Sequence, residues 1–344
     1  MSNTRLIAGF TAFLLGLEGA LAATTSPTPS PTPGPSPNEQ ILQVQLFLDG
    51  SPFKPGVVDG KWGEFTRKAL ACYKQANGGA SGSYGDEPPA HFDLPLPNDR
   101  PALTTYRLST DDQRLIGSIP ENHAAQAKLD SLPYTDFLEL VAEKFHARQE
   151  YIRQLNPDFD WNGAKPGDNV KVPNVTAPFD VQEAIGRKKA TEEAEKADTL
   201  KTEDEKPENE QFAIFIHVSE KMLELKQSGK LVGSYPITPG SDSLPAPIGE
   251  WFIKGFAWMP TFRWDEAMLQ RGERSGDAYE LPPGPNNPVG IIWMELNHKG
   301  SGIHGTEVPE TIGRATSHGC IRLSNWDALD LGKKVRPGVH VTIR

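Results

Sequence analysis

The segment SHGCIRL, Ser317 to Leu323, carries one of only two cysteines in a chain of 344 residues. A second His-Gly pair, in GIHGT, sets His304 sixteen residues before Cys320. An unperturbed thiol has a pKa of about 8.5, and a nearby imidazole is the usual means of raising its thiolate fraction. Cysteine and histidine together suffice for acyl transfer: the sulfur attacks a carbonyl carbon and the imidazole handles the proton. Gly319 lets the backbone turn tightly before the cysteine. The successive N–H groups of His318, Gly319 and Cys320 can then converge on a developing oxyanion. Residue types alone leave the base open, since His318 is two positions from Cys320 and His304 must return through a loop. The plain alternative is a small buried cysteine at the end of a strand.

The surroundings of the thiol sharpen the choice. Arg5 precedes the apolar run LIAGFTAFLLGL, and Ala20-Leu21-Ala22 offers a small-x-small cleavage site before Ala23. That layout predicts a secretory signal over residues 1–22, too short for a comfortable membrane span. The expected location is therefore the periplasm or cell wall, with no integral span after cleavage. Cys72 lies in WGEFTRKALACYKQA, where Phe65, Ala69, Cys72 and Ala76 recur at helical spacing, so it reads as a core residue of another domain. Cys320 is then a free thiol in an exported protein, where exposed thiols are usually oxidised or avoided. A net charge of −10 argues against nucleic acid and against capture by an anionic membrane. No metal site is expected, because a zinc centre on Cys320, His304 and His318 needs further ligands that the sequence does not place. No cofactor is implied. His217, His298, His146 and His91 fall in a strand, a turn, a helix and a linker and need no special role.

Several elements must position these residues. Hydrophobic content is 37%, and parts of the chain belong to no packed core. Residues 23–37 are a Pro/Ser/Thr spacer. Residues 38–80 hold two helices, ILQVQLFLDG and FTRKALACYKQANG, around the glycine turn VVDGKWG. Residues 81–131, rich in Pro, Gly, Ser and Asp, read as a long linker with some ordered pieces. In 132–176 two amphipathic helices, with Leu138, Val141, Ala142, Phe145, Ile152 and Leu155 on their apolar faces, precede GAKPGDNVKVPNV. Residues 177–210 alternate in charge, which suits a solvated helix or a disordered connector. From residue 211 to 344 the period becomes that of short strands: FAIFIHV, MLELKQ, KLVGSYPIT, GEWFIKGFAW, VGIIWMEL and HVTIR. One late helix starts at SNWDALDLGKK, with Ser324 and Asp327 as a capping-box-like pair.

The motifs in this order resemble known families. His304-Gly305, a spacer, and Ser317-His318-Gly319-Cys320-Ile321-Arg322 resemble the signature of the L,D-transpeptidase catalytic domain over 211–344. PPGPNNPVGIIWMEL and SYPITPGSDSLPAPIGEW share the look of its bacterial cell-wall members. DGKWGEFTRKAL resembles the small helical peptidoglycan-binding domain. LNP followed by PGDNVKVP is similar to a LysM module, although its first strand is not evident. The fold expectation is multidomain: a mainly β catalytic domain, a small α-helical peptidoglycan-binding-like domain and an α+β LysM-like segment.

The resemblance implies that Cys320 is the nucleophile, that His304 is its base and that the Gly305 carbonyl orients the imidazole. It implies that His318, Gly319 and Ser317 support the oxyanion hole, while Arg322 holds a substrate carboxylate or braces the loop. The implied partners are peptidoglycan stem peptides and glycan. Cys320 attacks the bond between a diamino acid and D-Ala, and the thioester passes to an amine of a second stem in a 3→3 cross-link. Water as acceptor gives an L,D-carboxypeptidase, and a lipoprotein lysine gives protein anchoring. A wall-binding protein with a decayed catalytic domain is the non-enzymatic rival.

Overall fold

The computed structural model describes residues 1, 37–79, 82–97, 99–196, 212–240, 244–271, 275–314 and 319–344. Apart from Met1, the expected signal lies outside these residues, as does the Pro-rich spacer up to residue 36. Helices α1 (Pro37–Asp49) and α2 (Glu64–Ala76) form the first layer. Val44, Leu48, Phe53, Ala69 and Leu70 bury a small apolar cluster between them. The turn between the helices is fixed by one buried amide. Gln45 Oε1 accepts from the N–H groups of Asp59 and Gly60 at 3.0 and 2.8 Å, and its Nε2 donates to Thr66 at 3.1 Å. Gly60 sits at φ +69°, a backbone that L side chains disfavour. Cys72, expected in the core, is half-buried at the margin of the cluster.

The strand that the sequence conceals lies inside the stretch expected to be linker. Strand β1 (Leu103–Arg107) pairs antiparallel with β2 (Asn169–Pro173), from Leu103 opposite Pro173 to Arg107 opposite Asn169. Between them run α3 (Thr110–Gln113), α4 (His123–Gln126), α5 (Phe137–Lys144) and α6 (Gln149–Leu155). A five-residue strand flanked by proline and acidic residues shows no alternating apolar pattern, so pairing rather than propensity defines it. Leu132, just past that linker stretch, braces the C-terminal region: its N–H donates to the Pro283 carbonyl at 2.8 Å, and Asn286 N–H donates to the Leu132 carbonyl at 3.2 Å. A Cβ on Gly284, at φ +156°, would lie 2.0 Å from the Leu132 carbonyl oxygen. Helix α7 (Val181–Lys196) follows, burying Val181 and Ala184 and leaving its charged faces to solvent. Of the connector expected over 177–210, residues 197–210 are outside the described set.

The C-terminal region is a mixed sheet in the order β11-β10-β9-β6-β12-β3-β4-β5. Its strands are β3 (Phe212–His217), β4 (Met222–Gln227), β5 (Lys230–Pro236) and β6 (Gly249–Trp258). A separate hairpin, β7 (Phe262–Trp264) and β8 (Tyr279–Leu281), brackets α8 (Glu266–Arg271). The sheet resumes with β9 (Ile292–Leu296), β10 (Gly302–His304) and β11 (Ile321–Arg322). Helix α9 (Asn325–Lys334) and β12 (His340–Ile343) end the chain. Ile214, Ile253, Met294, Ile303, Ile321 and Val341 are wholly buried, so the core runs beneath the centre of the sheet. As expected, Ser324 caps α9, its hydroxyl accepting from Asp327 N–H at 3.2 Å.

From Pro35 to Arg344 the chain is one compact unit. A buried polar cluster ties its parts: His146 Nδ1 lies 2.7 Å from Asp49 Oδ1, and Trp326 stacks on the His146 ring at 5.1 Å. Asp327 beside them has its carboxyl pushed up to about 7 by burial, against the pull of Lys54, His146 and Ser324. The folded state therefore holds a proton that the unfolded chain releases at about pH 4, and stability falls as pH rises from about 4 to 7. Asp327→Asn removes that loss. Its melting temperature relative to wild type is expected to climb across this window in thermal denaturation, and a constant difference would contradict the assignment. Among the described residues, no helix is long and apolar enough to cross a membrane.

Candidate active site

The parallel pair β10–β11 assembles the site. Ile303 is opposite Ile321 and His304 is opposite Arg322, which brings Cys320 beside Gly302. Side chains two apart in a strand share a face. His304, Cys320 and Arg322 therefore project from one face of the sheet around a residue that has no side chain. All three line a cavity of about 300 Å³, with β7 and its flanking residues as the opposite wall. The small size of Gly302 is required, since a Cβ there would meet the Trp293 ring at 2.6 Å. Trp293, opposite His304 on β9, stacks on the imidazole at 5.3 Å with 24° between planes.

The turn after β10 sets the imidazole. His304 is buried, and its Nδ1 lies 2.7 Å from the Gly305 carbonyl oxygen. A carbonyl only accepts, so Nδ1 carries the proton and Nε2 keeps a free lone pair. Burial drives the His304 pKa down to about 3; the Arg322 charge pushes the same way, and the Gly305 carbonyl opposes. The ring is neutral at physiological pH, with Nε2 unprotonated.

Cys320 is half-buried, and its thiol reaches the Gly300 carbonyl at 3.7 Å. Burial pushes the thiol pKa up, while the Gly302 backbone hydrogen bond and Arg322 pull it down. The resting pair is consequently a neutral thiol and a neutral imidazole. Such a pair needs proton transfer during attack, which is general-base catalysis rather than a preformed thiolate. Gly319 has φ +90°, the tight turn expected before the cysteine. Ser317 and His318, assigned to the oxyanion hole, lie outside the described residues. Arg322 is locked in register by backbone bonds to Thr238 at 2.9 and 3.0 Å, which leaves its guanidinium to the cavity.

Three contributors escape sequence reasoning. Trp293 looks like one more strand aromatic in VGIIWMEL, and only the sheet register places it against His304. The β7–β8 hairpin is held by Asp265, which accepts from Ser275 N–H and Oγ at 2.8 Å each. Its Trp264 lines the cavity and stacks on His123 of α4 at 3.9 Å. Asn325 reaches the turn after His304 by donating and accepting across long sequence separations, for which no local signal exists. Among the described residues, no group of three His, Cys, Asp or Glu side chains is placed to hold a metal.

Residues 211–343 match the family model YkuD, the L,D-transpeptidase catalytic domain. The chain is 26% identical over 206 residues to a Bacillus licheniformis protein provisionally named L,D-transpeptidase YkuD, spanning 60% of this chain and 92% of that protein. It is 27% identical over 253 residues to a protein of Escherichia coli strain K12 provisionally named L,D-transpeptidase YbiS, spanning 70% and 68% of the two. Among solved structures it is similar to L,D-transpeptidase 3 from Mycobacterium tuberculosis with a faropenem-derived adduct, at 18% identity and a TM-score of 0.33. That match spans 39% of this chain and 60% of the other, too slight a likeness to bear on mechanism.

Proposed function

We propose that this protein is a peptidoglycan L,D-transpeptidase with Cys320 as nucleophile and His304 as general base. The observation that carries the reading is the shared face of Cys320, His304 and Arg322 around Gly302, opening on one cavity inside the family-matched segment. In the first step the Cys320 sulfur bonds to the carbonyl carbon of the diamino acid in a stem peptide. His304 Nε2 takes the thiol proton and gives it to the departing D-Ala nitrogen as the C–N bond breaks. In the second step an acceptor amine attacks the thioester and loses its proton to His304, and the thiol is restored. The Gly305 carbonyl keeps the imidazole in the tautomer that both transfers need. Backbone N–H groups at Gly319 and Cys320, with support from Ser317 and His318, hold the oxyanion, and Arg322 takes a substrate carboxylate.

The upstream parts fit the same reading. Residues 38–80 serve as a peptidoglycan-binding-like domain and 132–176 as a LysM-like segment, within an exported protein of the periplasm or wall. With a net charge of −10, contact with an anionic wall polymer must rest on shape and hydrogen bonding rather than bulk attraction. Incubation with disaccharide-tetrapeptide fragments and mass analysis of the products tests the function. Release of D-Ala with a cross-linked dimer is expected. Tripeptide and D-Ala without dimer would make water the acceptor, a stem–lipoprotein conjugate formed only when a lysine-bearing lipoprotein is added would indicate anchoring, and unchanged tetrapeptide would leave a wall-binding protein.

A further inference from the structure

We infer that Glu143, on α5 of the upstream helical region, is a positioning residue for His304 that acts through Asn325. The inference rests on the reading of His304 as the base. Asn325 opens α9 and is wholly buried. Its Oδ1 accepts from the N–H groups of Ile291 and Thr306, both at 3.2 Å. Its Nδ2 donates to Glu143 Oε1 at 2.8 Å and to the Pro285 carbonyl at 3.2 Å. Both amide protons and both oxygen lone pairs are thus used, and the partners permit only one orientation of the amide.

Thr306 and Gly305 directly follow His304, so the Asn325 oxygen grips the turn whose carbonyl selects the imidazole tautomer. The fit leaves no slack. A Cβ on Gly305 would lie 2.1 Å from Asn325 Oδ1, and one on Gly290 would lie 2.0 Å from the same atom. Two loops are therefore pressed onto one amide oxygen, and what holds the amide also holds the loops. On its other side the amide depends on Glu143, a buried carboxyl that also takes the Tyr134 hydroxyl on Oε2. Without an acceptor at 143, the buried Nδ2 donor loses a partner and the amide is free to turn away from Thr306. A shift of about 1 Å in a reacting group costs roughly 10²-fold in rate.

Glu143 meets its task as a neutral acid. Burial raises its carboxyl to about 8, against the Tyr134 and Asn325 hydrogen bonds and with Glu139 adding repulsion. Glu307 and Glu310 face the same cleft from the loop after His304. Oε2 accepts from the Tyr134 hydroxyl, and Oε1 is the acceptor for Asn325. Glutamine has the same oxygen and a donor in place of the acid proton, so it is the conservative substitute.

The test compares full-length wild type, Glu143→Gln, Glu143→Ala and Tyr134→Phe. Two readouts are taken: the rate of Cys320 acylation by a carbapenem across its concentration, and the ¹⁵N shifts of the His304 ring. Wild type, Glu143→Gln and Tyr134→Phe are expected within about two-fold in rate, with the spectrum of a single Nδ1–H tautomer. Glu143→Ala is expected to be about ten-fold or more slower at saturation, with its half-saturating concentration unchanged and its ring shifts averaged between tautomers. A Glu143→Ala enzyme with wild-type rate and spectrum overturns the inference. So does a ten-fold loss in Glu143→Gln or Tyr134→Phe, which would mark general packing rather than an acceptor for Asn325. If Glu143→Ala does not fold, those two variants decide on the same criteria. Wild type that forms no adduct would count against the proposed function instead, and the ring spectra would still judge Glu143.

Discussion

Cys320→Ala is expected to form no covalent adduct with a carbapenem and to lose on the order of 10³-fold or more in stem-peptide turnover. The size of the loss follows from the make-up of the cavity. Its described walls are Trp, Phe, Met, Pro and Val side chains with Arg263, Asp265, His304, Glu307 and Arg322, and no serine, threonine or lysine among them can replace the thiol. Removing the nucleophile therefore removes the covalent path rather than weakening it. The variant should fold, because Cys320 is half-buried and contributes little apolar volume. Cys72 provides the control. It lies on α2, outside this cavity, and burial raises its pKa, so Cys72→Ser should keep the wild-type acylation rate. Intact-mass spectrometry resolves the outcomes: one adduct in wild type and Cys72→Ser, none in Cys320→Ala. A Cys320→Ala protein that retains full turnover would remove the basis for the proposed mechanism.

What was readable in advance divides along the range of the interaction concerned. Strand periodicity is local, and FAIFIHV, MLELKQ and GEWFIKGFAW appear as β3, β4 and β6 near their expected bounds. The spacing of Cys320 and Arg322 is local too, and an alternation of two already puts them on one face. His304 could be chosen over His318 only through the family resemblance. Two neighbouring strands, β10 and β11, are three and two residues long and have no pattern of their own. They exist because Gly302 admits Trp293 and because Thr238 pairs with Arg322, both contacts between distant parts of the chain. The stretch 81–131 misled for a related reason. Its proline, glycine and acidic residues describe an absence of local periodicity, yet it contributes β1 through backbone bonds, which composition does not record. Glu143 and Asn325 are 182 positions apart, and nothing in either neighbourhood announces the other.

His304→Ala is expected to slow acylation by about 10²- to 10⁴-fold at neutral pH, the usual contribution of a positioned base. Its pH dependence is the more telling result. In the wild type the imidazole, held down to about 3 chiefly by burial, is neutral throughout the physiological range, and the thiol is held up. The competent form, neutral base with protonated thiol, therefore persists from about pH 4 to beyond 8, and the acylation rate should be nearly flat there. Without the imidazole the only route left is attack by free thiolate. The variant's rate should rise about tenfold per pH unit until the thiol titrates, so its deficit shrinks as pH increases. An enzyme that relied on a preformed thiolate–imidazolium pair would instead lose rate as pH fell through the pKa of that thiol. His318→Ala supplies the comparison, with a smaller loss and the wild-type flat profile, because His304 still handles the proton. If His318→Ala were the slower of the two and the one to acquire the rising profile, the two histidines would exchange roles. The buried tautomer at Gly305 would then serve the packing of Trp293 rather than the chemistry at Cys320.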